Sequence, residues 1–231
     1  MWTFLLCLSC SVQSTSDQTS SDIVVEKVSK TSNASVDPKA ETAKKPRIII
    51  LGDSLTAGLG LDVNQAYPAL VAQQLGELGY PTEILNAGQS GDTTAGGLRR
   101  VDWLLKQKPD LLIVELGAND GMRGVPLEEI EKNLNGIIDK AQDKNVPVFL
   151  MDMYIPSNFG KEYTDGFHAI FARTAEEQKI PLLPFLIKDI AGKAEFNQAD
   201  GIHPTADGHV LMADVVRESI KDWRMGWTPS R

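Results

Sequence analysis

The sequence predicts an α/β fold of three layers, α/β/α, built on a central, mostly parallel five-stranded sheet. Three observations predict it. Strand-like and helix-like segments alternate along the chain, the pattern of a parallel sheet covered on both faces. The strand-like segments are continuous apolar runs, as expected where both faces are buried. The segments between them carry apolar residues at helical spacing.

Arg47–Gly52 (RIIILG) is bounded by Pro46 and Gly52 and reads as the first strand. Tyr67–Leu78 reads as a helix with Pro68 in its first turn, where a missing N–H is harmless. Thr82–Asn86 is a short second strand, and Gly96–Lys106 a helix. Asp110–Leu116 (DLLIVEL) follows Pro109 as the third strand. Leu127–Lys144 is strongly amphipathic, with Leu127, Ile130, Leu134, Ile137, Ile138 and Ala141 on one stripe. Val146–Met151 is the fourth strand, a helix covers Lys161–Gln178, and Leu182–Leu183 forms a short fifth strand. Thr205–Asp222 closes the chain as a helix with Thr205 as its N-cap.

The 231 residues divide into an apolar, signal-like segment (1–10), a Ser/Thr-rich tether (11–46) and one domain (47–231). The formal charge of −8 resides in that domain, because acids and lysines cancel up to Pro46. Such an acidic domain repels phosphate backbones, so no nucleic-acid partner is expected. No protein partner is predicted either. Both cysteines, Cys7 and Cys10, precede the domain, which excludes a disulfide, a thiolate metal site or a cysteine nucleophile within it. The run ending in Leu8-Ser9-Cys10 is too short to span a bilayer. It resembles the end of a bacterial lipoprotein signal, with Cys10 as the lipidated residue. The tether lacks the apolar surface to offset its ordering entropy. An exported, periplasmic or membrane-anchored enzyme is the expectation, with a membrane surface as the partner of the anchor.

In parallel sheets, ligands sit beyond the carboxyl ends of the strands, so chemistry should appear just after strands. Four polar clusters do. The first strand runs into Gly52-Asp53-Ser54-Leu55-Thr56-Ala57-Gly58, where a serine on a tight turn is well placed for attack. Gly-Asp-Ser is also ordinary helix-cap chemistry. The second strand runs into Asn86-Ala87-Gly88-Gln89-Ser90-Gly91-Asp92-Thr93, whose glycines allow close backbone approach. The third runs into Gly117-Ala118-Asn119-Asp120-Gly121, where Asn119 could donate to an oxyanion or simply make a turn. The fourth, Asp200-Gly201-Ile202-His203-Pro204, supplies a base and, three residues before it, a carboxylate to orient it. His168 and His209 sit in no comparable cluster and read as structural.

GDSLTAG, the Gly of SGDT, GAND and DGIHP resemble the four blocks of the GDSL/SGNH hydrolase family, in the family's order. The resemblance spans roughly Arg47 to Trp223. It extends through ELGANDGMRG and PLLPF to the bacterial acyl-CoA thioesterase, lysophospholipase and arylesterase group. It implies a flavodoxin-like SGNH fold, with Ser54 as nucleophile, His203 as general base and Asp200 as its orienting partner. The backbone N–H groups of Ser54 and Gly91 and the Asn119 amide would form the oxyanion hole. No cofactor or metal is implied. In the resembled group the loop after the Asn block shapes the acyl site. Met122 and Val125, with Ile155 and Phe159, are the residues here that could line an apolar groove; core packing is their other use. The implied substrates are aryl esters, acyl-CoA thioesters and lysophospholipids.

Three rival readings have distinct signatures. Ser90 lies in Gly88-Gln89-Ser90-Gly91-Asp92, but Asp92 occupies the last glycine position of a lipase elbow. A metal site from Asp200, His203, Asp207 and His209 has irregular spacing, and capping explains Asp207 and His209. A carbohydrate deacetylase or acyltransferase would share every catalytic residue, whereas a non-catalytic binding module would need no nucleophile and base.

Overall fold

A computed structural model of the protein describes residues 44–228. The signal-like segment with Cys10, and the tether up to residue 43, lie outside them. Five parallel strands form one sheet: β1 (Arg47–Gly52), β2 (Glu83–Gly88), β3 (Leu111–Glu115), β4 (Val148–Met151) and β5 (Leu182–Leu183). Their order is β2-β1-β3-β4-β5. The chain steps from β1 to one side and then crosses to the other, so the carboxyl ends of β1 and β3 flank a topological switch point, where loops diverge and leave a crevice.

The apolar runs alternate between two cores. Ile49, Leu51, Leu112, Val114 and Leu150 face one side, covered by α3 (Thr94–Leu105), α5 (Leu127–Gln142) and α6 (Lys161–Gln178). Ile48, Ile50, Leu111, Ile113 and Met151 face the other, covered by α2 (Tyr67–Glu77) and α7 (Ala206–Gly226). The α5 stripe is buried as its spacing requires: Ile130, Leu134, Ile137, Ile138 and Ala141 are fully inside, with Leu127 packed at the edge. Each such aliphatic side chain contributes about 1.5–3 kcal/mol on burial.

Some element ends differ from expectation. β4 starts at Val148 because Pro147 has no N–H for the ladder, and α5 stops at Gln142, where Val146 N–H closes on the Ala141 carbonyl at 3.0 Å. β2 runs two residues further than expected, to Gly88. α7 continues to Gly226, with Thr205 capping it by accepting from Gly208 N–H. Two short helices, α1 (Ser54–Ala57) and α4 (Ala118–Met122), occupy segments expected to be turns. Among the described residues no helix is long and apolar enough to cross a membrane.

Candidate active site

β1 delivers the Ser54 turn. Asp53 caps α1 through its Oδ1, which accepts from Leu55 N–H at 3.0 Å, and Gly58 (φ 74°) ends the helix one turn later. α1 lies directly on the end of β2: a Cβ at Gly88 would sit 2.2 Å from Ala57 N. Asn86 fastens the same contact, its Nδ2 donating to the Thr56 carbonyl at 2.7 Å. Ser54 is thereby held half-buried on a rigid support.

The segment before α7 brings the imidazole. His203 Nε2 lies 2.9 Å from Ser54 Oγ, and its Nδ1 lies 2.7 Å from Asp200 Oδ2. Asp200 Oδ1 also accepts the N–H groups of Ile202 and His203, at 2.9 and 3.0 Å. These bonds hold its carboxyl far below the ordinary carboxylate range, the His203 N–H first and the imidazole second. The segment hangs on a few polar ties. Gln198 N–H donates to the His203 carbonyl at 2.7 Å, Gln198 Nε2 donates to the carbonyls of Leu59 and Pro204, and Asn197 Nδ2 donates to those of Ile190 and Lys193.

The second and third loops complete the rim. Asn119, on α4, donates from Nδ2 to Asp53 Oδ2 at 3.1 Å. Gly91 (φ 78°) turns the second loop, and its carbonyl accepts from Arg123 Nη2 at 3.0 Å. Among the described residues, the backbone N–H groups of Ser54 and Gly91 donate to nothing. Two latches fix these loops. Arg100 pairs with Asp92 at 2.7 Å and donates to the carbonyls of Ala87 and Gly52. Asp120, buried, accepts from Thr94 N and Oγ1 at 2.9 and 2.7 Å. A serine hydroxyl bonded to an imidazole that a carboxylate orients, beside unspent N–H donors, is an arrangement suited to acyl transfer.

Ser54, His203 and Asp200 are thus brought together, and Asn119 joins them through Asp53. The residues expected to line an acyl groove lie in the segments after β3 and β4, with Met122 ending α4. Met122 is 37% exposed. Val125 and Ile155 lean on the α5–α6 core, and Ile155 covers Gly121. Phe159 borders a surface cavity of about 440 Å³ with Leu127 and Tyr163. Ser90 is exposed and no imidazole bonds to it among the described residues. His209 is fully buried and accepts Tyr67 N–H through Nδ1 at 3.1 Å; burial drives its pKa from 6.5 down to about 4. It is therefore separated from exposed Asp207, and no group of three or more metal-ligating side chains occurs among the described residues. His168 stacks on Tyr154, beside Asp152.

Sequence reasoning passed over Asp53, Glu115, Arg100, Asp120 and Arg123. One signal was available: Glu115 is a lone acid inside an apolar strand, where both faces are buried.

Residues 50–211 match the model of the GDSL-like lipase/acylhydrolase family. The chain belongs to this family. As a member it is an ester hydrolase. It is similar to an arylesterase of Vibrio mimicus, 37% identical over 182 residues, covering 78% of this chain and 91% of that enzyme. It is also similar to the thioesterase 1/protease 1/lysophospholipase L1 of Escherichia coli K12, 38% identical over 175 residues, 75% of this chain and 83% of that one. Among solved structures, the psychrotrophic esterase EstA of a Pseudoalteromonas species, inhibited by monoethylphosphonate, superimposes with a TM-score of 0.75. The identity is 37%, over 78% of this chain and 98% of EstA.

Proposed function

We propose that this esterase works by two-step acyl transfer through Ser54. His203 takes the Ser54 proton as the hydroxyl attacks the acyl carbonyl, and Asp200 holds the imidazole and stabilises its charged form. The tetrahedral oxyanion is received by the N–H groups of Ser54 and Gly91 and by the Asn119 amide. His203 then gives its proton to the departing alcohol or thiol, and water hydrolyses the acyl-enzyme along the same path in reverse. The observation that carries this reading is the bonded sequence Ser54 Oγ, His203 and Asp200, at 2.9 and 2.7 Å. A fluorophosphonate should label wild-type protein on the Ser54 peptide, and Ser54→Ala should abolish both label and turnover. Label on the Ser90 peptide, or turnover retained in Ser54→Ala, would refute it.

The substrates in this reading are aryl esters, acyl-CoA thioesters and lysophospholipids with medium to long acyl chains. The apolar residues Met122, Val125, Ile155 and Phe159 support it, as do the names of the similar enzymes. Turnover should rise from acetyl to octanoyl p-nitrophenyl esters; a steep fall beyond acetyl would favour a carbohydrate deacetylase. Cys10 is read as a lipid anchor that holds the exported enzyme at a membrane. Radioactive fatty acid should label the full chain and not Cys10→Ser.

A further inference from the structure

Beneath the Ser54 turn lies a second set of polar groups that two-step acyl transfer leaves unused. Glu115, the last residue of β3, is fully buried. Its Oε2 accepts from Thr56 Oγ1 at 2.7 Å and faces the Asp53 backbone N–H at 3.5 Å. The Thr56 hydroxyl lies 2.8 Å from the hydroxyl of Tyr67, which is also fully buried. Glu115 Oε1 has no partner among the described residues. A Cβ at Gly52 would come within 2.6 Å of Glu115 Oε2, so the strand end is built around this carboxyl.

Asp53, only 2% exposed, is the other carboxyl here. Oδ1 is committed to Leu55 N–H and Oδ2 to Asn119 Nδ2. Among the described residues no cation bonds to either carboxyl. The nearby Arg100 guanidinium is engaged by Asp92 and two carbonyls. Among the described residues, the other titratable groups acting on the pair are His203, Asp92 and Tyr67. Both carboxyls are buried and Glu115 Oε2 lies 3.5 Å from the Asp53 backbone N–H, so charge on both is strongly disfavoured and one proton stays on the pair. Glu115 is the more deeply buried of the two. Burial, then the neighbouring Asp53 charge, pushes its pKa well above the ordinary range, whereas Asp53 reaches about 6, chiefly through burial.

We propose that Glu115 and Asp53 form a one-proton pair that positions Asn119. With the proton on Glu115, the Asp53 carboxylate accepts one Asn119 N–H and turns the other toward the acyl oxygen. The proposal rests on the reading of Asn119 as an oxyanion donor. An ionised carboxylate only accepts hydrogen bonds, so it dictates which end of the amide faces it. A protonated Asp53 would donate to the Asn119 carbonyl oxygen instead. The amide would then turn its oxygen to the site and repel the developing negative charge. Asp53 and Glu115 are positioning residues: neither need touch substrate.

A double-mutant cycle on the full chain tests the coupling. In Asp53→Asn, Leu55 N–H still holds the Oδ1 position, so an NH₂ faces Asn119 and reverses its amide. Turnover should fall on the order of 10²-fold with KM little changed, as for loss of an interaction made only in the transition state. In an Asn119→Ala background, Asp53→Asn should lose little more. Losses that multiply would overturn the proposal, because Asp53 would then act independently of Asn119. Full turnover in Asn119→Ala alone would strike the oxyanion assignment, and the pair with it, while phosphonate labelling at Ser54 still stood. The proton is tested at Glu115. Glu115→Gln, a neutral isostere of the protonated acid, should keep most of the wild-type kcat. If Glu115→Gln fell as far as Asp53→Asn, Glu115 would be needed as an anion and the proposal would fail. Glu115→Gln should also gain stability relative to wild type as pH rises above 4.5, since a carboxyl with a raised pKa in the folded state loses stability in that direction.

Discussion

His209 makes the stability of this enzyme depend on pH in a way that one substitution can isolate. It is fully buried, its Nδ1 accepts Tyr67 N–H, and burial lowers its pKa from 6.5 to about 4. The unfolded chain takes up a proton on this residue below about 6.5, whereas the folded protein resists it until about 4. Between those values the unfolded state binds more protons, so stability falls as pH falls. The difference corresponds to about 3 kcal/mol at full expression. His209→Asn keeps an acceptor in the Nδ1 position and removes the titration. Urea unfolding of both proteins at pH 7.5, 6, 5 and 4 should give a wild-type advantage that is largest at pH 7.5. It should shrink by about 3 kcal/mol by pH 4. Comparing the two proteins cancels the opposite trends of Asp53 and Glu115, which both share. Parallel pH profiles would refute the burial argument.

Three further outcomes follow from the site. Asn119→Ala should lower kcat on the order of 10²–10³-fold in a p-nitrophenyl ester assay. Asp200→Ala should lower it near the bottom of the ~10²–10⁴ range for acid–base groups, because Asp200 is exposed and water can partly replace it. Gly88→Ala would drive a Cβ into the backbone of α1 at 2.2–2.7 Å, so the melting temperature should drop by more than the ordinary overpacking cost of about 1–3 kcal/mol implies.

The layers were legible because hydrophobic periodicity is a direct record of burial. The Ile130-Leu134-Ile137-Ile138 stripe and the run Ile48–Leu51 have one reading each. Ser54 and Asn119 were legible because each follows an apolar strand at a polar turn, His203 because an acid stands three residues before it, and their order matched known blocks. α1 and α4 were not, since four or five residues of Ser-Leu-Thr-Ala or Ala-Asn-Asp-Gly-Met carry no helical period and are held by tertiary contacts such as Gly88 against Ala57. The latches Arg100–Asp92 and Thr94–Asp120, and Arg123 on the Gly91 carbonyl, were invisible for another reason. Asp120 on Thr94 and Arg123 on the Gly91 carbonyl join separate segments, and Arg100, local to Asp92, reaches the Gly52 carbonyl; these adjacencies exist only once the sheet has formed.

The proposed nucleophile and its base have unequal foundations. Ser54 stands on a strand buried from Ile48 to Gly52, whereas His203 arrives on an irregular stretch secured by amide ties from Asn197 and Gln198. Segments of the second kind open at lower free energy than a core strand. Gentle denaturant should therefore silence this esterase while its circular dichroism spectrum is still that of the native protein, with recovery on dilution as quick as the loop can reseat.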